Sequence, residues 1–442
     1  MSVHLSTEDC ETAVRNFMRS ANFILEDYKV KPLSDKTVGF MGRHLKLTIT
    51  ASCGGVMYQL PFFAKMVPIT KSHRSFVVDL NFFSKEVTTY NTLVPKFNSC
   101  LPSGISFPVP QCFFIRGTVV DSGSMPTQGS EDEEVIILED LTSKGFRTLD
   151  HFPPLDVVHC EAVLRAMARF HAASILLEDS CRKARPDDFE PVRDLFSGIK
   201  ENFLVEQKGH VGYEWARNSA ESVATAVFKM WPEKFQDTSR EKVLETLMGG
   251  WSRVFEMAKT SPEYPNVVCH GDLWTNNIMF KYERDASGMR ENPVDVVFVD
   301  LQLVRYAPPI LDILLFLHVC TRREFRDRHI KDFLKFYYGA LGYYVPEDTL
   351  KRFMPFGKLL QMCDRFRDFG RVMSTAYLPI ILAESDLLVA KREKTDEPLN
   401  IDEVMLADRG EQMARNCKRS KNYSEWITNS FQECLVGLNL WR

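Results

Sequence analysis

The chain has 442 residues, of which 45% are hydrophobic, and a formal net charge of -4. At about 100–150 residues per domain, that length predicts two or three lobes with sizeable cores and excludes a disordered chain. The balance of 55 basic against 59 acidic residues gives no electrostatic footprint for nucleic acid.

The eleven cysteines are odd in number and contain no CxxC pair. That pattern argues against a disulfide framework and a zinc ribbon, and for thiols in a reducing compartment. The opening MSVHLSTEDCETAVRNF lacks an apolar core of signal-peptide length. No run reaches about 18 uninterrupted apolar residues, so no membrane span is expected and a soluble cytoplasmic protein is the default. Arg322, Arg323, Arg326 and Arg328 are interleaved with acidic residues and read as solvated helix faces.

In chain order, residues 8–29 read as a helix of mixed polarity. LKLTITA (45–51) and YQLPFFAKMV (58–67) are strand-like runs, and Gly54-Gly55 between them predicts a hairpin turn. Phe82, Phe83, Val87, Tyr90 and Leu93 recur at helical spacing. CFFIRGTVV (112–120) reads as a strand, DSGSMPTQGSEDEE (121–134) as an exposed acidic loop and VIIL (135–138) as another strand. Beyond Leu141 the texture is mostly helical, with patterns over 157–174, 212–232, 239–259, 310–320, 328–341, 350–364, 371–389 and 401–416. Short strand-like runs at 267–269, 278–280 and 294–304 interrupt it. A strand-rich first part and a helix-rich second part make an α+β layout of two unequal lobes.

The interruption contains VVCHGDLWTNNIMF, residues 267–280. Phosphoryl transfer asks little covalent chemistry of a protein; it needs positioning and charge neutralisation. A carboxylate must face the attacking hydroxyl, hard oxygen ligands must hold magnesium, and a lysine must steady the phosphates. Asp272 fits the first need. Asn277, five positions on, offers a neutral oxygen for the metal, at the spacing of a kinase catalytic loop. Asp300, after the apolar run Val296–Val299, can reach the same metal. Singly, each reads equally as a turn or cap residue, because Asp and Asn dominate such places. Their order and spacing between apolar runs favour function.

A lysine is found within PFFAKMV: Lys65, a charge that is costly in an apolar strand unless paired. Glu86, in the following helical run, is its expected partner; an exposed edge-strand lysine is the alternative.

VCHGDLWTNNIMF followed by FVDLQLVRYAPPILDILLFL (298–317) resembles the ecdysteroid kinase-like family, also called CHK kinase-like. This family lies in the choline kinase and aminoglycoside phosphotransferase branch of the protein-kinase-like fold. ILEDLTSKGF (137–146), LRAMARFHAAS (164–174) and FFSKEVTTYNTLVP (82–95) match further segments in order. The resemblance implies a nucleotide-binding lobe over 1–138, a hinge at 139–141 and a catalytic, substrate-binding lobe over 142–442. It implies ATP and Mg2+ as cofactors, and phosphorylation of a hydroxyl on a small-molecule alcohol, steroids among the candidates. Residue by residue, it makes Asp272 the base, Lys65 the phosphate contact held by Glu86, Asn277 and Asp300 the metal ligands, and Glu139, Asp140 and Leu141 the adenine-facing hinge.

His270 reads as support for the loop and His171 as structural. Asp312 reads as a helix cap, as support for the catalytic loop, or as both. Trp274 packs beside the loop or lines the substrate cleft. The expected phosphate-covering loop, VGFMGRHLKL (38–47), departs from the family pattern. Gly39 and Gly42 could admit phosphate to the backbone, but the GxGxxG spacing is absent. A degenerate kinase that binds a ligand or partner without catalysis is the alternative this departure supports. Choline-like or xenobiotic acceptors are the alternative within the same chemistry.

Overall fold

The computed structural model describes residues 5–33, 42–67, 80–117, 134–149, 152–284, 291–382 and 408–441. Gly39, most of the acidic run at 121–134 and residues 401–407 of the last expected helix lie outside the described residues.

The first part is a five-stranded antiparallel sheet in the order β1-β2-β3-β5-β4, built from β1 (Ile24–Pro32), β2 (Arg43–Cys53), β3 (Val56–Met66), β4 (Cys112–Arg116) and β5 (Val135–Glu139). The β2–β3 hairpin turns at Gly54-Gly55, both at positive φ. Leu45, Leu47, Ile49 and Ala51 alternate into one face, where they meet Phe62, Ala64 and Met66 and the Thr7–Met18 helix through Cys10, Ala13 and Val14. Strand periodicity therefore sends Phe63 and Lys65 to the opposite face. On β5 both faces are covered: Val135 and Ile137 join the first cluster, and Ile136 and Leu138 the larger core behind it.

The helix expected over 8–29 is a correction. It starts at a Ser6/Asp9 capping box and stops at Met18, where Arg19 takes a left-handed conformation (φ 51). Residues 24–32 form the edge strand β1 instead, and their mixed polarity reflects a strand with one exposed face. The helical run from Phe82 continues to Cys100, longer than expected. It consists of a helix at Phe82–Thr88, a wide turn at Thr89–Leu93 and a helix at Val94–Cys100. Pro95 sits at the start of the last piece, where its missing N–H costs little.

The second part is helical around a 28-residue helix, Val157–Ala184, which packs against Arg323–Tyr344. Helix Ile310–Cys320 is buried at all eleven positions, so its apolar character marks a core helix. Among the described residues no helix is long and apolar enough to cross a membrane. Two small sheets interrupt the helices. β7 (Val267–Cys269) pairs with β10 (Arg305–Ala307), and β8 (Ile278–Arg284) lies between β6 (Phe146–Arg147) and β9 (Glu291–Phe298). The expected helix over 350–364 is two helices, Glu347–Phe353 and Phe356–Arg365, separated at Pro355. Helix Lys421–Gly437 is an additional element. The cysteines are all unpaired.

One surface assignment is overturned. Arg326 is buried, not solvated, and pairs with the buried Glu433, which also faces His318 and Arg371. These charges join the Arg323–Tyr344 helix to Lys421–Gly437, a partner 107 residues away. Glu433→Gln leaves the Arg326 guanidinium uncompensated in the core and should cost about 3–5 kcal/mol. Urea unfolding measures this; a loss below about 1 kcal/mol, the range of exposed pairs, would rule out a buried ion pair here.

Candidate functional site

Strand β3 carries Lys65 onto the face that meets helix Phe82–Thr88. Its ammonium lies 2.5 Å from Glu86 Oε2 and 2.6 Å from Asp300 Oδ1. Lys65 is 3% exposed and Glu86 1%. Burial alone would lower the lysine's pKa, but Asp300 and Glu86 reverse this and hold it above its ordinary value. The other Glu86 oxygen accepts the Leu301 amide at 3.2 Å. Glu86 therefore fixes both the lysine and the backbone immediately after Asp300.

Asp300 ends the run after β9 with left-handed backbone (φ 71, ψ 71). A non-glycine residue there is uncommon and persists when its surroundings over-determine it. Here the anchors are Lys65 on Oδ1 and the Gln302 amide, which donates to Oδ2 at 3.1 Å.

Between β7 and β8 the chain makes the His270–Asn277 loop. Gly271 has φ +82, and a Cβ there would stand 2.2 Å from Leu303 O and 2.7 Å from Arg305 Nη2. Only glycine fits this point of close backbone approach. Asp312, on the first turn of its helix, accepts the His270 amide at 2.7 Å and the Gly271 amide at 2.9 Å. It supports the loop and is not the helix cap, which is Pro309. His171 spans Asp312 (3.2 Å) and the Tyr337 hydroxyl (2.7 Å), a buried structural role. His270 Nδ1 accepts the Asp272 amide at 3.3 Å, which leaves Nε2–H to donate to Val299 O at 3.0 Å. Burial lowers the pKa of His270, consistent with that neutral tautomer. The Val299 amide in turn donates to Asn277 O at 3.0 Å, so the loop is laced to the strand end that carries Asp300.

Asn277 lies in a single 3-10 turn, Thr275–Asn277. Its Nδ2 donates to Asp272 O at 2.9 Å and to Asp272 Oδ2 at 2.8 Å. The amide nitrogen is thereby committed, and its oxygen remains the group suited to a hard cation. The Tyr377 hydroxyl meets Asp272 Oδ1 at 2.8 Å. Burial pushes the Asp272 carboxyl up to about 7, and the nearby Asp300 charge adds to this; hydrogen bonds from Tyr377, Trp274 and Asn277 oppose it. The donor set of two carboxylates and an amide oxygen beside an ammonium fits a magnesium–phosphate group. Trp274 is half-buried and stacks on Phe152 at 5.8 Å.

The remaining expected residues are placed as follows. Gly42 lies against the lysine: a Cβ there would meet Lys65 Cε at 3.1 Å. Glu139 ends β5 and pairs with Lys144. Asp140 accepts the Thr142 amide at 3.0 Å and starts the 3-10 turn Leu141–Lys144, and Leu141 is buried against Phe146 and Val297. The Glu139 and Asp140 carboxylates thus shape the connection between the two parts of the chain.

Several partners were not among the expected site residues. Arg305 donates to Gly271 O at 3.0 Å and pairs at 2.6 Å with Glu201, whose side chain is 10% exposed. A charge within the apolar run LVRYA was the same kind of signal that marked Lys65. The neighbouring Lys85 donates to Lys200 O at 2.9 Å and Asn202 Oδ1 at 2.5 Å. The segment around Glu201 therefore joins the helix of Glu86 to the loop of Asp272. Tyr377, in a helix 105 residues from Asp272, had no spacing signal at all. Among the described residues, His171, Cys269 and Asp312 bring potential metal-ligand atoms within 4.8 Å. The Asp312 oxygens are already occupied by two amides and His171, and burial holds the Cys269 thiol well above its ordinary pKa. This cluster is loop support.

Two outcomes follow from this geometry. Gly271→Ala combines a strained φ with a backbone overlap and should cost more than about 2 kcal/mol; a melting temperature equal to wild type would contradict the close approach. Burial lowers the pKa of Lys85 to about 8 from an ordinary 10.5, with Arg305 adding and Glu201 opposing. Between those values the unfolded chain binds more protons, so stability contributed by this site rises with pH. Wild type should gain on the order of 1–2 kcal/mol relative to Lys85→Met between pH 8 and 10. Urea midpoints that run parallel for the two proteins would exclude the depressed pKa.

The model of the ecdysteroid kinase-like family matches residues 38–346, well over half of the chain. No curated protein matches the sequence. Among solved structures, the chain is similar to an ethanolamine kinase from Plasmodium vivax (TM-score 0.38, 8% identity, covering 90% of this chain and 84% of that one). It is also similar to the choline kinase LicA from Streptococcus pneumoniae (TM-score 0.37, 11% identity, 98% and 99% covered). A third is the GDP complex of aminoglycoside 2'-phosphotransferase-IIIa (TM-score 0.37, 11% identity, 98% and 99% covered). The α+β layout expected from the sequence, a strand-rich first part followed by a helix-rich second part, is the one observed, and on the family match the chain belongs to the ecdysteroid kinase-like family.

Proposed function

We propose that the protein transfers the γ-phosphoryl group of ATP to a hydroxyl of a small-molecule alcohol. The observation that carries this reading is the convergence of Lys65, Glu86 and Asp300 in one buried ion cluster, laced through Val299 to the loop of Asp272 and Asn277. A lysine placed between two carboxylates is costly to assemble for structure alone, because apolar residues of the same volume do as well.

In this reading Asp272 accepts the proton of the acceptor hydroxyl. A pKa of about 7 suits that task, since a base is most effective near the working pH. Asn277, through its amide oxygen, and Asp300 would hold Mg2+, which supplies charge neutralisation to the phosphates. Lys65 steadies the phosphates and Glu86 keeps it aimed. The backbone of Glu139, Asp140 and Leu141 meets the adenine, and Gly42 lets the chain pass close over Lys65. Gly39 belongs to the same proposed loop. A steroid or other lipophilic alcohol is the acceptor suggested by the family's name. Over the chain this reading divides residues 1–138, 139–141 and 142–442 into nucleotide lobe, hinge and catalytic lobe.

Asp272→Asn should reduce turnover by about 10²–10⁴-fold while Mg-ATP binding by calorimetry persists. Lys65→Met should weaken both. Absence of Mg-ATP binding by the folded wild type would sink the kinase reading in favour of a non-catalytic binder. An ADP-release screen over ecdysteroids, other sterols and plant phenolics, with mass spectrometry of the product, identifies the acceptor hydroxyl.

A further inference from the structure

The Asp272 carboxylate meets donors from within its own loop, Asn277 and Trp274, and from outside it, Tyr377. Asn277 takes Oδ2 from within the loop, and the Tyr377 hydroxyl takes Oδ1 from the distant helix Arg367–Ile381. A carboxylate with a donor on each oxygen cannot turn about its terminal bond without breaking one of them. Each oxygen still keeps a lone pair, so the group remains able to accept a proton.

Tyr377 is itself braced. Its ring meets Trp215 edge-on at 6.1 Å, and Trp215 packs on Trp251 at 5.3 Å and Phe203 at 5.2 Å. Trp215 and Trp251 are 2% and 1% exposed, so the ring rests on a rigid wall. Its helix neighbours Thr375, Ala376 and Leu378 are buried, while Tyr377 is only half-buried. The phenol therefore stands at the edge of the core, against the buried Asp272. Tyr337 and Tyr306 are core tyrosines whose hydroxyls meet His171 and Glu178, away from the Asp272 loop. Tyr377 directs its hydroxyl to the residue proposed as the base.

We propose that Tyr377 is a positioning residue for phosphoryl transfer: its hydroxyl fixes the orientation of the Asp272 carboxylate toward the incoming alcohol. The inference rests on the assignment of Asp272 as the base. In the same reading Lys65, Glu86 and Asp300 serve the phosphates, so the two functions are separable.

The test uses the full chain with Mg-ATP and water as the acceptor, followed by ADP release. Tyr377→Phe retains the ring and its contact with Trp215, and removes only the hydroxyl. kcat should fall by about 10–100-fold, the scale of a misoriented catalytic group. KM for ATP should stay within about twofold, because no nucleotide contact is touched. A crystal structure of Tyr377→Phe should show the Asp272 carboxylate rotated or spread over several orientations. This structural readout decides the matter where water is too slow an acceptor. A carboxylate that keeps its single orientation, an unchanged kcat, or a KM for ATP that rises in step with the loss would each overturn the proposal. Asp272→Asn separates the two readings. If that variant retains turnover, the base assignment has failed; if it loses turnover and Tyr377→Phe does not, the positioning role alone has failed.

Discussion

The buried ammonium of Lys65 is the constraint on which the site depends. A lysine with 3% exposure is tolerated only when opposite charge and hydrogen bonds replace water. Glu86 comes from a helix and Asp300 from a strand end 235 residues away in sequence, so one charge draws together three separate parts of the chain. The sheet orients Lys65, helix Phe82–Thr88 brings Glu86, and the Leu301 amide completes the second oxygen of Glu86. Removing Lys65 would leave the two carboxylates facing one another without their shared counter-charge.

From Asp300 the order spreads by backbone hydrogen bonds. Val299 accepts from His270 and donates to Asn277, so the strand end and the loop are set relative to one another without any direct contact between their carboxylates. Asp312 and Arg305 then hold the turn at Gly271 from opposite directions, the carboxylate taking two amides and the guanidinium donating to a carbonyl. The loop's own hydrogen bonds, from Asn277 to Asp272 and from the Asp272 amide to His270, are completed from outside by the helix at Ile310–Cys320 and by β10, which explains why so many polar groups are buried around it.

The second connection between the two parts of the chain runs through Lys85, Asn202, Glu201 and Arg305. It begins on the residue beside Glu86 and ends on the carbonyl of Gly271. Burial of Glu201 would raise its pKa, but Arg305, Lys85 and the amides of Phe203 and Leu204 outweigh this and hold it down. The helix that aims the lysine and the loop that carries Asp272 thus share a rigid ionic brace in addition to the Lys65 cluster.

Local chemistry made much of this legible in the sequence. A lone charge in an apolar strand, a carboxylate at a strand end and the Asp–Asn spacing in HGDLWTNN are patterns of period and turn preference, and they singled out Lys65, Asp300, Asp272 and Asn277 as candidates. The hairpin at Gly54-Gly55 and the core helix at Ile310–Cys320 were equally readable. Residues 24–32 were not: their mixed polarity suits a helix face or an edge strand, and only pairing with β2 decides. Arg326 looked solvated because its partner Glu433 lies over a hundred residues away. Tyr377 shows the limit most clearly. The sequence by itself determined which residue types stand at the loop and at the lysine strand. Which oxygen of Asp272 each donor reaches was decided by how a distant helix packs on Trp215, and helix packing is a property of the whole core that no local spacing encodes.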